Sequence, residues 1–489
     1  MRAGQRDTFI SRWTSRTVVQ GRTGYSTLLS HLTLALLTSL PAAAPGAEGQ
    51  GLPPAVPDAY ASTYRPLPRT DTLIRGGTLL DGLGGRLENA SILLRDGRIA
   101  AIGPEVQAPP GAVVVDARGR WITPGLIDAH THLGNFPAPY TTLDLEHSDV
   151  AETTDPNTAE VWAEHSITVQ DPQFSRALAG GVTTLHVLPG SIPLFGGRGV
   201  VLKNVPAVTV REMKFPDAPQ SLKMACGENP KYGFGDRGRF PSSRMGNVAG
   251  YRAAWVRARE YLAAWEHRAR KGDHGPPPAR DLELDTLASV LKGEIAVHVH
   301  CYRADDMAVV LDVAREFGFH ITAFHHATEA YKIAPLLARE GVCAAVWSDW
   351  WGFKLEAYDG IRENAAFLDA AGACVALHSD VPSVGQHLTI EAAKAMAAGR
   401  RAGFDVPPER ALRWLTINPA KMLGLDDRIG SLEVGKNADV VVWSGNPFSI
   451  YTKADQVFID GALVYDRSDP ARQPRADFEL GQPSRKELP

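Results

Sequence analysis

Four cysteines in 489 residues are few, and none stands in a CxxC spacing, so a cysteine zinc site has no support. Cys226, Cys301, Cys343 and Cys374 each lie in or beside a short apolar run that reads as a buried strand. Cysteine behaves there as a small hydrophobe, and although an even count in an exported chain also permits disulfides, the expectation is four free thiols. No apolar run reaches the ~20 residues that span a bilayer. Positive charge is not in excess either: 51 Lys and Arg face 55 Asp and Glu, a formal net charge of −4, which does not suggest a nucleic-acid partner. A phosphate-binding loop is also missing. "LPGSIPLFGGRG" at 188–199 is Gly-rich but lacks the GxxxxGK[ST] pattern.

The first 47 residues stand apart. Arg2, Arg6, Arg12, Arg16 and Arg22 precede the apolar run "LLSHLTLALLTSL" and then the small-residue stretch "PAAAPGA", the order of a secretory signal. The expectation is an exported protein, periplasmic or secreted, with no stable membrane insertion once the leader is removed. Its removal takes away five Arg and one Asp and leaves the mature chain more acidic. Residues 48–71 read as a linker.

Residues 72–122 alternate in short apolar stretches broken by turn signals such as "RDGR", a small β layer. Similar patterns return in "GSLEVGKNADVVVWSG" and "ADQVFIDGALVYD" within 426–470, so two β-rich flanks form one discontinuous domain around the middle. Residues 471–489 are a polar tail. Between the flanks, 123–425 alternates apolar runs with amphipathic segments, the rhythm of parallel βα units. Two of its helical stretches end on Gly318 and Gly341, as left-handed C-caps require. An insertion at 229–292 carries Trp255, Leu262 and Trp265 near a helical period, which reads as a packing stripe. Its place after a strand end also suits a lid.

Residues i and i+2 of a strand point the same way, so His130 and His132 in "GLIDAHTHLG" present two imidazoles from one strand end. Further candidates close later strands: Glu228, His298 or His300, His325 or His326, and Asp380. Nitrogen and oxygen ligands converging from several strands suit Zn²⁺ or a similar divalent ion.

These residues, with "ITPGLIDAHTHLG" and "TINPAKMLGLDDRIGSLEVGKNADVVVW", resemble the metal-dependent amidohydrolase superfamily, nearest its imidazolonepropionase-like and prolidase-like members. The resemblance covers about residues 72–467. It implies an α/β fold, a (β/α)8 TIM barrel with a flanking discontinuous β-sandwich. It also implies one or two Zn²⁺ per chain and hydrolysis of an amide or cyclic amide C–N bond by a metal-bound hydroxide.

Carried over, His130, His132, Glu228, His300, His326 and Asp380 are the implied ligands. Lys223, in carboxylated form, is the alternative to Glu228, and the preference is for Glu228. Asp380 would shuttle the proton and His378 would orient it or stabilise the oxyanion. Arg303, Tyr302, Trp350 and Lys354 are candidate contacts to a small-molecule substrate, with Arg303 either gripping a carboxylate or pairing with Asp305 or Asp306. A dipeptide or N-acyl amino acid is the favoured substrate. A ring deaminase is the alternative, and a metal-bearing barrel that only binds a ligand is a third reading. No motif fixes the oligomeric state, and a homo-oligomer is compatible with the sequence.

Overall fold

The structure is a computed structural model describing residues 60–138, 142, 146–271 and 276–474. The leader, residues 48–59 of the linker and the tail from 475 lie outside the described residues. The chain begins with β1 (Thr72–Leu80), β2 (Arg86–Arg95), β3 (Arg98–Gly103), β4 (Val113–Asp116) and β5 (Trp121–Pro124). The middle holds β6 (Leu126–Thr131), β7 (Val182–Val187), β8 (Phe195–Lys203), β9 (Gln220–Ala225) and β10 (Ile295–Cys301). Then come β11 (Ala323–His326), β12 (Cys343–Val346) and β13 (Val375–Leu377). The chain closes on β14 (Val440–Trp443), β15 (Ala454–Ile459) and β16 (Ala462–Asp466).

The two ends of the chain share one sheet, ordered β16-β15-β14-β5-β1-β2-β3, with β4 beside β1. Its seam is the antiparallel pairing of β14 with β5, from Val440 opposite Pro124 to Trp443 opposite Trp121. The middle strands form a second sheet in sequence order from β6 to β13. It curls until its edges nearly meet: the Asp380 amide donates to the His130 carbonyl at 2.9 Å. Asp128 on β6 braces the same seam, its Oδ1 accepting from the Ser379 amide at 3.1 Å. The fold is therefore mixed α/β around a barrel-like sheet. Burial on both faces explains why β12 reads as an unbroken apolar run rather than an alternating one.

Two expectations need correction. The middle is not built of parallel βα units throughout, because the second half of the Gly-rich stretch at 188–199 opens β8, a strand antiparallel to both β7 and β9. The connection from β7 to β8 is only residues 188–194, and a parallel crossover needs about a dozen residues or more. The four cysteines are not free: Cys226 pairs with Cys301 and Cys343 with Cys374. Each pair joins neighbouring strand ends whose Cα atoms lie 5.2 and 4.5 Å apart, a relation that linear spacing does not reveal.

The insertion forms helices Glu228–Gly235, Arg244–Lys271 and Leu282–Leu291. Tyr251, Trp255, Ala258, Leu262 and Trp265 recur at helical spacing and turn Trp255 onto Phe195 and Phe319, ring centroids 5.4 and 4.4 Å away. This is the expected packing stripe. The long helix lies against the barrel wall, with Asn247 Nδ2 donating to the Gly227 carbonyl and Arg244 paired with Asp305 and Asp306.

Candidate active site

The site lies where β6, β9, β10, β11 and β13 end. His130, His326, His378 and Asp380 each offer a ligand atom within 4.8 Å of the others. His132 joins them: its Nε2 stands 3.5 Å from Asp380 Oδ1, and His130 Nε2 stands 3.4 Å from the same oxygen. His132 Nδ1 donates to the Leu188 carbonyl at 2.8 Å, which turns Nε2 toward Asp380 and, in the neutral ring, leaves that nitrogen for a cation. His300 sits beside this group, its ring 4.5 Å from that of His326.

Backbone conformation contributes. His326 and Asp380 hold φ at 67° and 58°, the left-handed region that ordinary residues avoid. Each such residue costs of order 1–3 kcal/mol, and strain of this kind gathers at functional sites. Burial shapes the electrostatics. Desolvation holds the pKa values of His130, His300 and His326 well below the ordinary imidazole range and brings His378 down to about 4. These rings are neutral, the form that binds a cation. Burial alone would raise the Asp380 carboxyl, but hydrogen bonding and the charge of His132 outweigh it and lower the pKa.

Both nitrogens of His300 and of His378, and Nδ1 of His326, are buried with no hydrogen-bond partner. Unpaired buried polar atoms cost about 1–3 kcal/mol each, so their convergence fits a cation held there.

Glu228 does not join the cluster. It is the first residue of helix Glu228–Gly235, its carboxylate 3.5 Å from Lys354 Nζ. Lys223 does: fully buried on β9, its Nζ lies 3.3 Å from His130 Nε2. The strand-end rule failed because the chain turns sharply at Gly227, φ 74°, and carries Glu228 out of line. Arg303 pairs with Asp305 at 2.9 Å, the second of its two expected fates.

Tyr302 lies over His326, ring centroids 5.2 Å apart, and Lys354 Nζ lies 3.7 Å above the Tyr302 ring. Lys354 also donates to Asn229 Oδ1 at 2.7 Å and stands 3.8 Å from Glu356. Trp347, which no sequence motif singles out, stacks on Trp350 at 4.6 Å and reaches His326 at 4.3 Å. The aromatic wall is thus continuous with the imidazoles. One further histidine escapes sequence reasoning, His186 within β7, whereas His325 is the alternative to His326 at its strand end.

A barrel-like sheet whose strand ends gather neutral imidazoles and a carboxylate defines a metal-binding hydrolase. Residues 121–466 match the amidohydrolase family model, and the chain belongs to that family. It is accordingly a hydrolase acting on C–N bonds, and family members depend on metal. Amidohydrolase tasK of Hapsidospora irregularis is 31% identical over 88% of this chain, which spans 45% of that protein's length. An imidazolonepropionase of Shewanella oneidensis is 27% identical over 74% of this chain and 88% of its own. An amidohydrolase crystal structure from Thermotoga maritima MSB8 superposes with TM-score 0.75 and 37% identity, covering 81% of this chain and all of that one. A prolidase complexed with N-methylphosphonate-L-proline, at 18% identity and TM-score 0.51, shares the fold over 81% and 99% of the two chains.

Proposed function

We propose that the chain is an exported zinc amidohydrolase cleaving the amide or cyclic amide bond of a small molecule, with a dipeptide or N-acyl amino acid as the favoured substrate. Its scaffold is a (β/α)8-type barrel with a reversed third strand, carried on a β-sandwich built from both chain ends. The observation that carries the reading is Asp380 Oδ1 within 3.5 Å of both HxH rings, beside buried imidazole nitrogens that have no partner. His130, His132, His300, His326, Asp380 and Lys223 would hold the ion, with Lys223, in carboxylated form, taking the role expected of Glu228. A bound Zn²⁺ supplies Lewis acidity and an acidified water at neutral pH.

The residues of the chain do the rest. Asp380 accepts a proton from the attacking water and returns it to the leaving nitrogen, the reaction's general acid–base step. His378, in the same cluster and stacked 5.0 Å from the His130 ring, orients that carboxylate or stabilises the developing oxyanion. The Tyr302, Trp347 and Trp350 rings exclude water and receive an apolar part of the substrate. Lys354, mostly buried beside them, supplies a cation suited to a substrate carboxylate. Two disulfides support an oxidising compartment and hence export.

The test is a screen of dipeptides and N-acyl amino acids with zinc-loaded enzyme. A new carboxylate with a free amine supports amide cleavage, and ammonia release would replace this reading by ring deamination. Lys223→Gln is expected to lower bound zinc while Glu228→Gln leaves it near wild type. Metal analysis giving the reverse order would restore Glu228.

A further inference from the structure

We infer that His325 is a positioning residue that holds His130 in the tautomer a cation requires, through a line of hydrogen-bonded imidazoles beneath the site. This rests on His130 being a ligand. His130 Nδ1 lies 3.0 Å from His325 Nδ1, and His325 Nε2 lies 2.8 Å from His298 Nδ1. All three rings are at most 1% exposed. His298 packs edge-on against His186 at 4.7 Å. His186 Nδ1 stands 3.2 Å from the Ala129 carbonyl, which can only accept, so its Nε2 is the bare nitrogen that takes the Ser221 hydroxyl proton at 2.8 Å.

A neutral imidazole has one donor and one acceptor, so two Nδ1 atoms at 3.0 Å must differ in protonation. If His325 donated, the proton of His130 would sit on Nε2 and no lone pair would face the site. If His130 donates, its Nε2 is bare, His325 accepts at Nδ1 and carries its proton on Nε2, and that proton goes to His298 Nδ1. The ligand role selects the second arrangement: Nε2 is the nitrogen that faces the site, 3.3 Å from Lys223 Nζ, so a His130 that binds a cation there carries its proton on Nδ1. Asp380 Oδ1 lies 3.4 Å from the same nitrogen, so a bare Nε2 and a carboxylate oxygen, two acceptors, face one another where a cation would sit between them.

The comparison with His132 shows what is unusual. A carbonyl fixes the His132 tautomer outright because it has no proton to give. An imidazole can serve in either direction, so the His130 tautomer is set jointly with those of His325 and His298. His130 therefore depends on two further side chains where His132 depends on none.

The experiment measures Zn²⁺ affinity of the full chain against a chromophoric chelator. His325→Leu should weaken binding about 10–100-fold, the usual consequence of losing an outer hydrogen-bond partner. His325→Gln, whose amide oxygen can accept from His130 Nδ1, should recover most of that loss. A neutron structure of the zinc-loaded wild type, which needs no variant to fold, should show protons on His130 Nδ1 and His325 Nε2. Wild-type affinity in His325→Leu, equal losses in the Leu and Gln variants, or a bare His130 Nδ1 would each overturn the positioning role. His130→Ala separates the two levels: undiminished zinc affinity there removes His130 from the ligand set, whatever His325 does.

Discussion

Asp380 combines a demanding backbone with a demanding chemistry. Its φ of 58° is one that Asn tolerates nearly as well as Asp, so Asp380→Asn should fold and retain zinc. Turnover should fall about 10²–10⁴-fold, the usual contribution of a general acid–base group. Near-normal kcat would remove Asp380 from proton transfer. Glu356 allows a pH test clear of the proposed ligands. Burial raises its carboxyl from 4.5 to about 7. Between those values the folded chain keeps a proton that the unfolded chain has released, so this contribution is full below the lower value and is lost as pH rises through the upper one. Glu356→Gln should therefore gain thermal stability relative to wild type at pH 7.5 compared with pH 4.5. A pH-independent difference in Tm would place the proton elsewhere.

At the scale of elements, what the sequence revealed and what it hid obey one physical rule. Residues two apart on one strand must share a face, so His130 with His132, and His298 one step deeper than His300, were readable from the string. Lateral relations were not. Which strand lies beside β9 decides that Cys226 meets Cys301, and which ring lies behind His130 decides that His325 matters. The direction of β8 depends on how few residues join it to β7, and only a strand reading of "FGGRGVVLK" would have raised the question. The Cys226–Cys301 bond joins the ends of two site-bearing strands across a sequence separation of 75. Replacing both cysteines by Ala is expected to destabilise the chain by about 2–4 kcal/mol in denaturant titration, and an unchanged midpoint would show the bond to be dispensable.

At the scale of the whole molecule, a small buried ion network joins the barrel-like sheet to the sheet built from the two chain ends. Lys203, at the end of β8, reaches Asp460 at 3.0 Å and Asp439 at 3.7 Å, and the Tyr64 hydroxyl donates to Asp460 at 2.6 Å. Removing one partner from such a group leaves an uncompensated buried charge, which costs about 3–5 kcal/mol. Lys203→Met should lower Tm for the barrel-like sheet and the sheet of the chain ends in a single transition. Two separate transitions by calorimetry would show that the network is not what makes them one unit.

The reversed direction of β8 gives that network its reach. A parallel strand would have put its first residue at the far side from the chemistry; β8 instead starts beside the candidate site and finishes against the sheet of the chain ends. The carbonyls of Leu188 and Pro189, which receive His132 and Lys223, belong to the short turn feeding its near end, and Lys203 anchors its far end. One strand thus works as a strut across the full depth of the barrel, and the pitch of two site residues is referenced to the domain furthest from them.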